Sequence, residues 1–147
     1  HFAWKRIAIL YSSNEYGRAG LQSLLKQTKE ADVVGVTNID DSIESQIQTL
    51  REKNAKIFLV SASSGDAPRL FQAAENAGTL EAGYAWITTD ALSRDTLLNV
   101  GPPATIQALR RRMLGVVGTR PQLAPSAELD RLQAEWHGRD QTVYHGM

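Results

Sequence analysis

Cysteine is absent from the 147 residues, which excludes a thiol nucleophile, a zinc–thiolate centre and a disulfide framework while leaving the compartment open. Aromatic residues are sparse, at 7% of the chain, and the charges cancel, 16 basic against 16 acidic. No run of like charge is long enough to make a polyanion-binding or membrane patch, so no nucleic-acid partner is expected through this chain. The triplet Arg110-Arg111-Arg112 reads as a solvated helix face. No apolar stretch approaches the ~20 residues of a membrane span, and none reads as a signal peptide. The histidines, His1, His137 and His145, lack the spacing of a metal cluster, so neither a metal nor a cofactor is expected.

What is present is an alternation. A chain of this length is one domain by the usual prior and buries about 68–70% of its unfolded surface. It begins at His1 rather than Met and is expected to be a piece of something longer. Ile7 to Tyr11 is a continuous apolar run, as in a strand buried on both faces of a parallel sheet. A loop follows, then Leu21, Leu24, Leu25 and Thr28 line one helical face. Val33 to Ile39 reads as a second strand, Asp40-Asp41-Ser42 as the charged start and cap of a helix, and Ile43, Ile47 and Leu50 as its apolar face. Ile57 to Val60 is a third strand. Ser64-Gly65-Asp66 leads into a helix with Pro68 in its first turn, Leu70, Phe71 and Ala74 on its face, and Gly78 ending it. Tyr84 to Thr88 is a fourth strand, Thr105 to Met113 a helix, Leu114 to Val117 a short strand, and Ser126 to Trp136 a capped helix with Leu129, Leu132 and Trp136 as its stripe.

Strands alternating with helices imply right-handed crossovers and an α/β, doubly wound, open parallel sheet of Rossmann-like type. In such sheets ligands bind beyond the carboxyl ends of the strands. Three polar loops fall there: Ser12 to Gly17, Ser61 to Asp66 and Thr88 to Leu92. The bland reading is that Ser12, Ser13 and Asn14 form a turn and cap, that Ser63, Ser64 and Asp66 cap the third helix, and that Asp90 accepts a backbone hydrogen bond. Enzyme readings fare worse. The loop Asn14-Glu15-Tyr16-Gly17-Arg18-Ala19-Gly20 is not a dinucleotide fingerprint. A Walker loop is missing, the third strand ends in Val60-Ser61-Ala62-Ser63 rather than an acceptor aspartate, and no Gly-x-Ser-x-Gly elbow exists. No catalysis is expected.

The stretches "HFAWKRIAILYSSNEYGRAG", "GYAWITTDAL" and "GVVGTRPQLAPSAELDRLQAEW" resemble, in that order, the second lobe of type I periplasmic-binding-protein-like ligand-binding domains. That superfamily includes the leucine/isoleucine/valine-binding proteins, the glutamate-receptor amino-terminal domains and the natriuretic-peptide-receptor ectodomains. The likeness runs from Phe2 to Trp136 and is closest to eukaryotic receptor ectodomains, including the plant glutamate-receptor-like group. It implies that residues 1–136 form one lobe of a clamshell and that 137–147 are an irregular tail or a return toward a missing first lobe.

The resemblance further implies a small-molecule ligand, an amino acid or similar small polar molecule, sensed by cleft closure in an extracellular or periplasmic setting. Tyr16 matches the tyrosine that lies against the ligand in amino-acid-binding members. Ser61, Ser63 and Ser64 fall in the loop that supplies further contacts, and Asp90 matches the acidic residue that faces the ammonium group. Ser12 and Asn14, from the first polar loop, complete the candidate set. Hydroxyls stand where branched-chain amino-acid binders often carry aromatics, which leans toward a polar ligand. Two alternatives stay open: a homodimer module with an inert cleft, using the outer faces of the helices at Leu21 to Thr28 and Ile43 to Leu50, and the sensing core of a transcription repressor.

Overall fold

The computed structural model describes residues 5–28, 33–40, 42–92, 101–119 and 124–138. Strands β1 (Ile7–Tyr11), β2 (Val33–Asn38), β3 (Ile57–Ser61), β4 (Ala85–Thr88) and β5 (Val117–Gly118) form a five-stranded sheet in the order β2-β1-β3-β4-β5. Every pairing in it is parallel. Helices α1 (Glu15–Gln27), α2 (Ile43–Glu52), α3 (Ala67–Asn76), α4 (Pro103–Arg112) and α5 (Ala127–His137) alternate with the strands. The expected doubly wound sheet is what forms.

Strand alternation divides the apolar residues between two faces. Ile7, Ile9, Ile57 and Leu59 point to the side where Leu21 and Leu24 of α1 pack. Ala8, Leu10, Phe58, Val60 and Trp86 point to the other, against Ile43, Ile47 and Leu50 of α2, Leu70, Phe71 and Ala74 of α3, and Leu109 of α4. The second layer is the larger. Its centre is an aromatic stack in which Trp86 lies 4.4 Å from Phe58 at an interplanar angle of 8°, with Phe71 tilted against it at 5.8 Å. Trp86 also donates its indole N–H to the Thr79 carbonyl at 2.7 Å, so a large apolar ring is buried with its polar atom satisfied.

Helix ends mostly follow the sequence signals. Asn14 caps α1, accepting the Gly17 N–H at 2.8 Å, and Ser126 caps α5 through Leu129 N–H at 3.1 Å. Pro68 occupies the first turn of α3, and Gly78 follows its end at φ +65°, a conformation that favours glycine.

Several expectations need correction. Ser42 precedes α2 with φ +41° and no side-chain cap bond, and Asp41 lies outside the described residues. The stretch Leu114 to Val116 is a turn through Gly115 at φ +87°, so the last strand is only Val117–Gly118. Leu25 is 45% exposed, because α1 packs through Leu21 and Leu24, and Leu132 is 53% exposed on α5. Arg112 is not solvated: its guanidinium pairs with Glu75 at 2.7 Å with only 15% of the side chain exposed.

Candidate functional site

Strand order places the crevice. The chain runs from β1 outward to β2, then returns to the other side of β1 for β3, so the loops after β1 and β3 diverge at a topological switch point. The Ser12 N–H donates to the Ser61 carbonyl at 3.0 Å and ties the two strand ends together.

Gly17 makes the turn into α1 possible. A Cβ there would lie 2.0 Å from the Ser12 carbonyl oxygen. The close approach at this glycine is between helix and loop. It sets Tyr16 in the first turn of α1, 40% exposed at the carboxyl edge of the sheet.

From there Tyr16 reaches across the end of β3. Its hydroxyl donates to Asp90 Oδ1 at 2.6 Å, 74 residues away, and stands 3.4 Å from the Ala91 N–H. Neighbouring strands lie about 4.8 Å apart, so crossing from β1 to β4 needs a side chain of this length. Burial raises the Tyr16 pKa above its ordinary value, the Asp90 hydrogen bond adds to the rise, and Thr89 and Ala91 oppose it. The edge thus presents an exposed aromatic ring bonded to a carboxyl group, an arrangement suited to a cationic amine through both the carboxylate and the ring face.

The other candidates divide. Ser12 is 2% exposed and donates to Asn14 Oδ1 at 3.3 Å, while Asn14 caps α1, so both are engaged in shaping the loop. Ser61 is fully buried beneath α1, where a Cβ on Gly20 would come 1.9 Å from its Oγ, and it does not reach the edge. Ser63 donates to Asp66 Oδ2 at 2.5 Å, and neither residue makes a side-chain cap bond, so the capping expected of them does not occur. Ser64 begins a short 3-10 turn over Ser64–Asp66, half-buried. Asp90 bonds a phenol in place of the anticipated backbone amide.

Two residues at this edge escaped the sequence reading. Asp40 accepts the Ser13 N–H at 3.0 Å, and its own carbonyl accepts Arg69 at 2.8 Å, so it ties the end of β2 to the first loop and to α3. Hydrogen bonding from the Ser13 side chain, with its amide assisting, holds the Asp40 carboxyl below the usual range against some desolvation. Charge at the start of a helix masked this role. Thr89 is the other: its Oγ1 is buried beside the Tyr16 hydroxyl, the one group it hydrogen-bonds toward, and it has no second partner among the described residues. A threonine just past the end of a strand carries no sequence signal that distinguishes it from its neighbour Thr88. Among the described residues, no group of acidic residues or histidines is arranged to hold a metal ion.

Comparison with known proteins gives the fold a context. A family model described as "Receptor family ligand binding region" matches residues 1–145. Similar proteins include glutamate receptor 2.9 of Arabidopsis thaliana, 27% identical over 139 residues that make up 92% of this chain. Glutamate receptor 2.5 of the same plant is 28% identical over 145 residues, 94% of the chain, and glutamate receptor 2.6 is 26% identical over the same length. The chain spans only 14–15% of the length of these relatives.

Proposed function

The chain belongs to the receptor family ligand binding region, a receptor module and not an enzyme, and from that membership we propose that it is the lobe that senses an amino acid or similar small polar molecule. The cleft closes against a first lobe carried elsewhere in the same protein, on the extracellular or periplasmic side of a membrane receptor. The observation that carries the reading is the meeting of Tyr16 and Asp90 at the carboxyl edge of the sheet, 2.6 Å apart. The ring and the carboxylate together receive the ligand's ammonium group. Ser64, and Ser63 after exchanging its bond to Asp66, supply hydroxyls for the polar part of the ligand. Ser12, Asn14 and Ser61 hold the loops that carry the contacts.

An open face on one lobe surrounds too little of a small molecule to hold it well, so binding needs both shells. Contacts made only in the closed form shift the population toward closure, and that shift is the signal. A thermal-shift panel of amino acids on the ectodomain carrying both lobes tests this. Ligand at ~100 times its dissociation constant adds about 2.7 kcal/mol of stability. One amino acid should shift the ectodomain strongly and this chain alone hardly at all, and Asp90→Ala should abolish the shift. A panel with no response at all would remove the reading.

A second reading, a homodimer module, is favoured by one observation: Leu25 at 45% exposure and Val36 at 43% are apolar and open on the α1 side of the sheet. The apolar residues of α2, in contrast, are all committed to the core. A mass that rises with concentration and falls with Leu25→Glu would support this second role.

A further inference from the structure

The Tyr16–Asp90 contact holds more than a pair of ligand-facing groups. Tyr16 donates to Asp90 Oδ1 at 2.6 Å, the length of a charge-assisted bond to a carboxylate, which is the bond a ligand ammonium would make. Next to the phenol, the buried Thr89 Oγ1 faces the Tyr16 hydroxyl and has no second hydrogen-bond partner among the described residues, while the Thr89 N–H is satisfied by the Val60 carbonyl at 3.1 Å. The Tyr16 ring is 40% exposed at the start of α1, so rotation about its side-chain bonds frees it with no change of backbone. Such exposed rotamer changes are fast compared with domain closure.

We propose that Tyr16 is a displaceable latch whose hydroxyl occupies, in the empty lobe, the Asp90 oxygen that a primary ammonium takes, and whose rotation uncovers Asp90 and Thr89 together for that ammonium. The proposal rests on the reading of this edge as the ligand site. It adds a chemical class: ligands with N–H donors to replace the phenol's proton and to satisfy Thr89, and not quaternary amines. The latch also keeps the carboxyl group of Asp90 partnered when no ligand is present, which opposes occupation by stray cations.

Glycine and glycine betaine are the probes, since they share a carboxylate and differ in whether the nitrogen carries N–H donors. Binding of each to the ectodomain with both lobes is measured by calorimetry for the wild type, Tyr16→Phe, Thr89→Val and Asp90→Asn. Phenylalanine keeps the ring against the ligand and removes only the latch bond, so glycine should bind about tenfold tighter to Tyr16→Phe. Thr89→Val should weaken glycine several-fold, and betaine should bind no variant comparably. If Asp90→Asn abolishes glycine binding while Tyr16→Phe leaves it unchanged or weaker, the latch is wrong and the ligand site stands. If Asp90→Asn has no effect, or glycine binds nothing, the site itself is wrong and the latch falls with it.

Discussion

Replacing Gly17 by alanine tests the link between the first loop and the helix that presents Tyr16. In an ordinary helical position the change stabilises by about 1 kcal/mol, because alanine is the better helix former. Here the new Cβ would stand 2.0 Å from the Ser12 carbonyl oxygen and 2.8 Å from its carbon and nitrogen. Those atoms are backbone, and Ser12 is 2% exposed and tied to Ser61 at 3.0 Å, so no flexible side chain can swing aside. Overpacking of a tight site costs about 1–3 kcal/mol, and an immovable obstacle puts this case at the upper end. After the propensity gain, a loss of about 2 kcal/mol remains. With a urea dependence of about 2 kcal/mol per molar, the midpoint should fall by about 1 M. Gly65→Ala is the control, since a Cβ there meets nothing within 4 Å and should change stability by less than about 0.5 kcal/mol. A Gly17→Ala protein as stable as the wild type, or more so, would refute the close approach and with it the geometry that aims Tyr16 at the sheet edge.

Trp86→Phe keeps much of the stack on Phe58 but leaves the buried Thr79 carbonyl without its donor, and should cost about 1–3 kcal/mol in denaturant titrations. An unchanged midpoint would mean that water replaces the indole. Because the Asp40 carboxyl is held below its ordinary pKa, its contribution to stability is complete above the unfolded value of about 3.9 and is lost as pH falls through the folded one. Asp40→Asn should therefore destabilise at neutral pH by at most about 1 kcal/mol, and the gap to the wild type should close in acid. A gap that widens toward low pH would contradict the sign. For Tyr16, Asp90→Asn should lower the phenol's raised pKa while burial keeps part of the shift, as read by carbon NMR of labelled tyrosine. A titration identical in both proteins would show that the two side chains do not meet in solution.

Much of the architecture was legible because it is written in local periodicities. The unbroken apolar run Ile7 to Leu10 predicts a strand covered on both faces, and those residues are buried on alternating sides of the sheet. Ile43, Ile47 and Leu50 recur at helical spacing and all enter the core. The same logic misjudged Leu25, since helical spacing identifies an apolar stripe without saying how much of it the sheet covers. It misjudged Ser42 and Asp40 because a serine after acidic residues looks like a helix start whether or not the side chains turn toward that helix. For the site, resemblance selected Tyr16, Asp90 and the serines Ser61, Ser63 and Ser64 of the loop after the third strand, while composition added Ser12 and Asn14 as polar residues of the first loop.

The order of apolar and polar residues along the chain by itself determined that this is a parallel α/β layer with its polar loops at the strands' carboxyl ends. That information is local: strand and helix periods, caps and breakers act over a few residues. Only the tertiary structure decided that Tyr16 and Asp90 touch across 74 residues, that Ser61 lies sealed under Gly20, and that Asp40 serves the first loop instead of its own helix. Each depends on which strand stands beside which. The order β2-β1-β3-β4-β5 follows from packing the whole sheet against its helices, and no segment of the chain carries it alone.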